Sequence, residues 1–494
     1  MKRILSFFLI LLFAALPLVA CGGHEVPEGA PKPGSLPTKT LNVYNWGQYI
    51  SDGSDDLPDT NDLFETYFNE TVLPEYGGKT LAESYGYFIE VNYSTYPSNE
   101  DMYNKIVSGS ASFDVVVPSD YMIERMINEK LLLPLTEENS KKTWMNLENI
   151  DERFLNGTYN TYDPKAEYSV PYTFSAVGII YNTNYVDEED VGSWDLLWNS
   201  KYKGKILQFN NPRDAFGTAL YKLGYSVNTP AEDKNGDGKV DAWTQDKDKN
   251  GLTDKDKWEA AYQLLREQKP LVSAYVMDEI FDKMINGSGY IAPYYAGDFL
   301  TMYDSNDALA FYYPEEGTNV FVDAMCIPRC ARNVDAAREY IDFMLSEEPA
   351  IANAEYIGYG SPNLLVKDLS LCEKEECRES RCEDPECDDP QCGYNKYMRD
   401  WHPDAVKILY EDLENLTVDN LADLRDIEGD GLKASFYRAQ ADEILTDTNE
   451  LWSDFKSENA IPAWIIVADI LIVGSLAGAV IIFFVRRRIR SKYY

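Results

Sequence analysis

The stretch Tyr44-Asn45-Trp46-Gly47-Gln48-Tyr49-Ile50 begins at the last residue of the first run of strand character in the chain, Leu41-Asn42-Val43-Tyr44. It places two aromatic side chains, Trp46 and Tyr49, where the chain leaves this strand. From there to about residue 455, short apolar or β-branched runs alternate with segments of helical periodicity. This alternation is typical of layered α/β folds. The sequence therefore predicts an α/β protein whose first strand ends beside two aromatic residues.

Length and composition restrict the class of protein. The chain has 494 residues, of which 45% are apolar and 13% aromatic, so it can fold into more than one domain. A net charge of −38 repels nucleic acid, so no nucleic-acid partner is expected. The only histidines are His24 and His402, and G-x-S-x-G, H-E-x-x-H and phosphate-loop motifs are absent. The sequence therefore predicts that the protein is not an enzyme.

The first 39 residues have the pattern of a secreted, anchored protein. Residues 1–20 combine a basic start, a long apolar run and small residues before Cys21, as in a signal peptide. Because Cys21 directly follows the expected cleavage point, the pattern resembles a lipoprotein processing site and predicts lipidation of Cys21. The polar, Pro- and Gly-rich residues 21–39 are predicted to be a tether.

The opposite end of the chain predicts a second anchor. Residues 463–485 form an apolar run, which at about 1.5 Å per residue is long enough to cross a bilayer core of roughly 30 Å. The basic tail 486–494 follows, and the excess of arginine predicts that it lies in the cytoplasm. We therefore expect a C-terminal transmembrane helix and a binding domain on the outside of the cell membrane.

Seven short motifs occur in order between residues 40 and 455. They are Tyr44-Asn45-Trp46, Asn92 to Glu100, Phe113 to Ser119, Ser169-Val170-Pro171-Tyr172, Lys201-Tyr202-Lys203-Gly204, Leu223-Gly224-Tyr225-Ser226 and Gly358 to Asn363. Together they resemble the spermidine/putrescine-binding proteins of ATP-binding-cassette importers. The resemblance implies a type II periplasmic-binding-protein fold, in which two lobes joined by crossing strands close around a ligand. It also implies permease subunits and a separate ATPase as partners.

The same resemblance implies where the chain changes lobe. Lobe 1 is predicted to take residues 40–171 and, after a return, 297–323. Lobe 2 is predicted to take residues 172–296 and 324–455. An Asp-rich insert at 232–256 and a Cys-rich insert at 371–393 are expected to be additions to lobe 2.

A polyamine carries ammonium groups separated by methylenes, so its site needs carboxylates at fixed separations with aromatic faces between them. The positions that match the family supply both kinds of group. They are Trp46, Tyr49, Ser119, Tyr121, Asp214, Tyr275, Asp278, Tyr295 and Asp298. The acids are stronger evidence for a cation-binding site than the aromatic residues are. A carboxylate beside aromatic rings is costly unless it meets a cation, whereas any of the 36 tyrosines can serve in core packing.

Two departures from the family leave the choice of amine open. Asn211 stands where some members have a second acid, and Gly47 replaces a larger or hydroxyl residue beside Trp46. The sequence therefore predicts a receptor for putrescine or spermidine without choosing between them. The alternatives are a receptor for another organic cation or small solute, and a membrane-tethered carbohydrate-active protein or adhesion module. Paired carboxylates and aromatics also line sugar sites.

The Asp-rich insert contains two loops with the ligand spacing of a calcium-binding EF-hand loop. The oxygen ligands would come from Asp233, Asn235, Asp237 and Asp241 in the first loop and from Asp246, Asp248, Asn250 and Asp254 in the second. Both loops lack the usual acid at position 12, where Thr244 and Lys257 stand. A structural calcium ion is predicted here, and no cofactor is expected for function.

Five cysteines recur every five residues in the second insert. They are Cys372, Cys377, Cys382, Cys387 and Cys392, and Cys326 and Cys330 raise the number to seven once Cys21 is lipidated. In an oxidising compartment disulfides are the default, and the C-x4-C spacing is wider than that of zinc knuckles. We expect a loop held by disulfides of open connectivity, with one thiol left free, paired between chains or bound to metal.

Overall fold

The computed structural model describes residues 36–54, 57–135, 144–228, 243, 246–370, 405, 407–414, 416–418, 427 and 432–457. Several predicted features lie outside these residues: the signal peptide with Cys21, most of the tether, the first calcium loop, the Cys-rich insert, the apolar run 463–485 and the basic tail. Within the described ranges, no helix has the length and apolar character needed to span a membrane.

Eleven strands are present in the described ranges. They are β1 (Thr38–Trp46), β2 (Phe88–Tyr96), β3 (Val115–Val116), β4 (Ser169–Asn182), β5 (Ile206–Phe209), β6 (Val272–Val276), β7 (Ile291–Tyr295), β8 (Leu309–Tyr312), β9 (Thr318–Cys326), β10 (Thr417–Val418) and β11 (Lys433–Ser435).

The α-helices of these ranges flank the strands. They are α1 (Thr60–Glu70), α2 (Leu81–Tyr85), α3 (Asn99–Val107), α4 (Asp120–Asn128), α5 (Pro212–Lys222), α6 (Asp254–Gln268), α7 (Glu279–Ile285), α8 (Ala296–Ser305), α9 (Val334–Met344), α10 (Glu347–Ile357), α11 (Leu364–Ser370), α12 (Asp412–Glu414) and α13 (Asp442–Ser457). A π-helical segment, Lys407–Glu411, precedes α12.

The strands form two groups, and two long strands, β4 and β9, connect them. In the first group, named the N-sheet, β2, β1 and β3 are parallel. In the second, named the C-sheet, β5 pairs in parallel with β6 and β7. The overall order is β2-β1-β3-β9-β4-β7-β5-β6, so β9 and β4 lie between the two groups. This arrangement confirms the predicted α/β fold.

Strands β4 and β9 join the two sheets. The first half of β4 pairs with β9, from Ser169 opposite Cys326 to Ala176 opposite Val320. The second half of β4 pairs with β7 and β8 of the C-sheet. Strand β9 in turn reaches the N-sheet, where Cys326 pairs with Val116 of β3. Residues near the middle of β4 and β9 therefore lie where the two sheets meet.

Two of the predicted lobe ranges disagree with the observed contacts. Residues 297–323 were expected to return to lobe 1, but β8 pairs with the C-sheet half of β4. The chain returns instead through β9. After β9, Tyr340 donates a hydrogen bond to Asn61 of α1 (2.9 Å), so α9 packs on the N-sheet rather than on lobe 2. The predicted range 324–455 agrees with the C-sheet in its later described part, where the carbonyl of Ile408 accepts from the Tyr313 hydroxyl (2.9 Å) and Asn228 donates to the carbonyl of Phe436 (2.7 Å).

The reason for this disagreement is physical. Sequence patterns mark where strands begin and end, but not which strand each one pairs with. Strand β8 is short, and only its hydrogen bonds to β4 assign it to the C-sheet.

One glycine brings the two sheets close together. A Cβ atom on Gly297, at the start of α8, would lie 1.8 Å from the ring of Tyr359 and 2.8 Å from the carbonyl oxygen of Gly358. Only glycine therefore lets the loop at 358–360 pack against α8. This close packing brings the Tyr359 hydroxyl within reach of Asp298.

Candidate functional site

The first group of functional side chains lies where β9 passes the start of α4. The Tyr49 hydroxyl donates a hydrogen bond to Asp323 Oδ2 (2.5 Å) and lies 2.8 Å from Thr173 Oγ1. The backbone of Asp323 pairs with that of Ser119, which precedes α4. The Tyr49, Thr173 and Asp323 side chains are all buried. The carboxylate of Asp323 is therefore held at the meeting point of the two sheets.

Two carboxylate oxygens in this group lack a well-formed hydrogen bond from the described residues. Asp120 Oδ1 accepts a hydrogen bond from the backbone N–H of Tyr121 (2.6 Å). Asp120 Oδ2 and Asp323 Oδ1 are buried and accept no well-formed hydrogen bond from the described part of the chain. Burial raises the pKa of Asp323 to about 6 and the pKa of Asp120 well above its usual range. A buried carboxylate oxygen without a donor is costly, so this group is poised for a ligand that brings N–H donors and positive charge.

The second group is built around Asp214 in the first turn of α5. Asp214 Oδ2 accepts hydrogen bonds from Asn211 Nδ2 (2.7 Å) and the Tyr295 hydroxyl (2.9 Å). Its other oxygen accepts from the Tyr437 hydroxyl at 3.2 Å. Burial raises the pKa of Asp214 above its usual value. Three elements of the C-sheet side therefore fix this carboxylate.

The third group lies at the start of α8. Asp298 accepts a hydrogen bond from the Tyr359 hydroxyl (3.1 Å). Burial, with a smaller contribution from the negative charge of Asp278, raises the pKa of Asp298 to about 7. Asp278 itself is exposed just before α7. At neutral pH Asp298 is thus close to half protonated when no cation is bound.

Aromatic rings connect the three groups. The ring of Tyr359 stands edge-on to Tyr49, with centroids 5.6 Å apart, and its centroid is 6.0 Å from that of Phe321. Phe321 in turn lies 5.4 Å from the ring of Tyr295, which hydrogen-bonds Asp214. Carboxylates and tyrosine rings therefore alternate along one continuous set of contacts. We call this set the carboxylate site: Asp120, Asp214, Asp298 and Asp323, with the rings of Tyr49, Tyr295, Phe321 and Tyr359 that join them.

Helix α4 also holds the two sheets together beside this site. Glu124 accepts from the guanidinium Nε of Arg438 (2.9 Å) and from the backbone N–H of Ala439 (2.7 Å). The next residue, Arg125, forms an ion pair with Asp442 at 3.3 Å. Arg438 and Asp442 lie near α13, which packs on the C-sheet helices α5 and α6. The helix that begins at the carboxylate site therefore carries charged contacts to the other side of the molecule.

The other predicted site residues have different surroundings. The Trp46 indole N–H donates to the carbonyl of Val117 (3.0 Å), beside the carboxylate site. Ser119 Oγ accepts from Asn99, and the Tyr121 hydroxyl donates to Glu100 at 3.1 Å. Tyr275 lies apart from this group.

Tyr275 contacts the C-terminal helix instead. Its ring meets Trp452 and Phe455 of α13, with centroids 6.0 and 5.6 Å away. Lys456 Nζ lies 4.4 Å from its ring centroid. The face of Tyr275 is thus already occupied by a cation of the chain, and none of the described contacts brings it to the carboxylate site.

Sequence reasoning did not select several residues that the structure places at the site. Asp120 adjoins the predicted Ser119, and Tyr359 lies within one of the seven motifs, so both positions carried a signal. Asp323 was predicted only as a crossing point. Tyr437 had no sequence signal, because its role depends on how the C-terminal region packs against α5.

In the described half of the Asp-rich insert, the ammonium group of Lys257 lies beside two acids. Asp248 Oδ1 accepts backbone N–H groups of Asn250 (2.8 Å) and Leu252 (3.0 Å). Lys257 Nζ lies 3.7 Å from Asp248 and 3.5 Å from Asp254. Among the residues that the structure describes, no cluster of three acidic, histidine or cysteine side chains is arranged to hold a metal ion. In the second loop a lysine ammonium thus lies beside two of the predicted calcium ligands.

Two sheets with parallel strands are joined by crossing strands, and desolvated carboxylates and tyrosines lie at the junction. These features define a solute-binding protein. The chain belongs to the bacterial extracellular solute-binding protein family, whose model matches residues 110–376. This membership confirms the resemblance carried by the seven motifs. It also confirms that the chain is a binding protein and not an enzyme, because the family consists of substrate-binding proteins.

Individual relatives show what the chain is similar to. It is 32% identical over 331 residues to the spermidine/putrescine-binding periplasmic protein of Escherichia coli K12, covering 67% of this chain and 79% of that protein. It is 27% identical over 357 residues to the putrescine-binding periplasmic protein PotF of the same organism, covering 68% of this chain and 82% of that protein.

A solved structure agrees with these relatives. The spermidine/putrescine-binding protein PotD of Streptococcus pneumoniae, in complex with calcium and HEPES, is 29% identical with a TM-score of 0.55. The alignment covers 85% of this chain and 98% of that one. The fold is therefore shared over nearly the whole of that binding protein.

The protonation of Asp298 predicts a pH-dependent stability. Its folded pKa of about 7 lies above the ordinary aspartate value near 3.9, so the folded state binds the proton more tightly than the unfolded state. Its contribution is fully present below about pH 4 and is lost as the pH rises through 7. We therefore expect the change in Tm that Asp298→Asn causes in the ligand-free protein to be more positive at pH 8 than at pH 5, by a few degrees. Differential scanning calorimetry measures this.

The control for this prediction is Asp307→Asn, which removes the same charge from an exposed residue after α8. Its effect on Tm should not change between the two pH values. An equal Tm shift for Asp298→Asn at pH 5 and pH 8 would contradict the assignment.

Proposed function

We propose that the protein is an extracellular receptor that captures a polyamine, putrescine or spermidine, between its two sheets and delivers it to an ATP-binding-cassette permease. The observation that carries this proposal is a pair of buried carboxylate oxygens, on Asp120 and Asp323, that accept no well-formed hydrogen bond from the part of the chain that the structure describes. Relatives of the chain are named for binding spermidine and putrescine. The energising ATPase is a separate subunit.

The chemistry of the carboxylate site matches a chain of ammonium groups. One ammonium would meet the unpartnered oxygens of Asp120 and Asp323, and another would meet Asp298 or Asp214. The tyrosine rings between these acids offer faces to the methylenes and to the charges. A terminal ammonium brings three N–H donors and the internal ammonium of spermidine brings two, and charge-assisted hydrogen bonds are about twice as strong as neutral ones. Binding therefore offsets the cost of burying the acids.

Closure is part of the same proposal. The ligand would contact residues on both sheets, Ser119 and Asp120 on one side and Asp214 and Asp298 on the other. A ligand that bridges them favours the closed arrangement, because only that arrangement offers all of its contacts. The charged contacts of α4 with Arg438 and Asp442 add to closure.

Calorimetric titration tests the proposed function directly. We expect the full chain to bind putrescine or spermidine, and Asp323→Asn to weaken binding by at least about thirtyfold, because it removes one partner of a buried charge pair. Asp307→Asn changes the net charge equally at an exposed position and should leave the affinity unchanged. Absence of binding to every polyamine, or an equal effect of the two variants, would overturn the proposal.

We further propose that the receptor is attached to the cell membrane through a lipid on Cys21 and through the apolar run 463–485, with its binding domain outside. The support is the sequence pattern at both ends together with relatives that are named periplasmic proteins. Intact mass spectrometry of the protein extracted from membranes should find a diacylglyceryl group on Cys21. An unmodified Cys21 would reject the lipid anchor.

A structural calcium ion is proposed for the first loop, Asp233 to Asp241, and not for the second. The pneumococcal relative was crystallised in complex with calcium, whereas Lys257 already lies between Asp248 and Asp254 in the second loop. We expect calcium to raise the Tm of the wild-type protein and of Asp248→Asn, and to have no effect on Asp237→Asn. An unchanged shift in Asp237→Asn would contradict the proposal.

A further inference from the structure

A cation of the chain itself lies beside the carboxylate site. Arg213, the second residue of α5, places its guanidinium carbon 3.7 Å from the ring centroid of Tyr121 and 5.3 Å from that of Tyr437. Tyr121 belongs to α4 on the N-sheet side, and Tyr437 hydrogen-bonds Asp214 on the C-sheet side. The guanidinium thus lies between rings from the two sides of the molecule.

This position is unusual for an arginine. The side chain is only partly exposed, yet among the described residues its guanidinium makes these two ring contacts and no ion pair. Its positive charge acts on the acids to either side, lowering the pKa of both Asp120 and Asp214 against the effect of their burial. Arg213 therefore partly neutralises the two carboxylates without satisfying the free oxygen of Asp120.

The contact also occupies a surface that a polyamine would otherwise use. Tyr121 is one of the aromatic residues predicted to face the ligand, and a ring face can hold one cation closely. With Arg213 on that face, an ammonium group placed there would meet like charge. Like charges a few ångströms apart repel each other, and near a protein surface water screens that repulsion less than it does in bulk solution.

We propose that Arg213 is a specificity-determining residue that acts as a resident cation, limiting the number of ammonium groups that the site accepts. This rests on the proposed function, because it specifies which members of the polyamine class bind there. The contacts that lead from Asp323 through the rings of Tyr49 and Tyr359 to Asp298 do not include the Tyr121 face, so a short amine lying along them leaves that face to Arg213. A longer amine must place an additional ammonium near the guanidinium, so the penalty grows with each added charge.

The test is calorimetric titration of the full chain with putrescine, spermidine and spermine, which carry two, three and four amine nitrogens. Arg213→Gln removes the guanidinium charge. It should improve the affinity for spermine relative to that for putrescine by about tenfold or more, and the change in affinity for spermidine should be intermediate. Arg213→Lys keeps the charge and should preserve the wild-type ranking. Arg266→Gln removes one positive charge from an exposed position on α6 and should change none of the three affinities.

The outcomes separate this inference from the proposed function. A shift of the ranking in Arg213→Gln, with Arg213→Lys unchanged, supports a resident cation. An equal change for all three amines in Arg213→Gln, or an unchanged ranking, overturns it while the receptor function stands. If the wild-type chain binds none of the three amines, the function and the inference both fail.

Discussion

The cost of burying carboxylates where two sheets meet is the constraint on which the rest of this structure depends. Asp323 lies on β9, one of the two strands shared by the sheets, and Asp120 begins the helix opposite. Neither acid is fully satisfied by the chain, and burial raises the pKa of both. A protein that retains such groups loses stability when it is empty and regains it when a cation binds. The binding function and the instability of the empty site therefore have the same physical origin.

The surrounding architecture makes this arrangement tolerable. Strand β4 pairs with β9 over its first half and with β7 and β8 over its second half, so Asp323 on β9 is held by a continuous ladder of backbone hydrogen bonds. Asp120, Asp214 and Asp298 lie in the first turns of helices α4, α5 and α8. Tyrosine hydroxyls donate to Asp214, Asp298 and Asp323 and replace part of the lost hydration. Helix α4 adds charged contacts to Arg438 and Asp442. The acids are positioned by rigid elements and only partly neutralised.

The sequence was sufficient for the fold class and for much of the site, and it was insufficient for long-range packing. The seven motifs, Tyr44-Asn45-Trp46 among them, identified the family because their order and spacing along the chain match it. Asp214, Tyr295 and Asp298 were predicted because they match positions of the family that the motifs resemble, and acids beside aromatics suit a cationic ligand. Tyr437 and Arg213 were missed, since their importance arises only when the C-terminal region and α5 approach α4. Tyr275 was selected from its matching position, but its ring packs on α13.

The most direct test of this account is a crystal structure of the protein with spermidine. We predict an ammonium nitrogen at about 2.7 to 2.9 Å from both Asp120 Oδ2 and Asp323 Oδ1, the two buried oxygens that accept no well-formed hydrogen bond from the described residues. Spermidine bound elsewhere, with these two oxygens still unpartnered, would contradict the claim that buried and unsatisfied carboxylates are the basis of recognition.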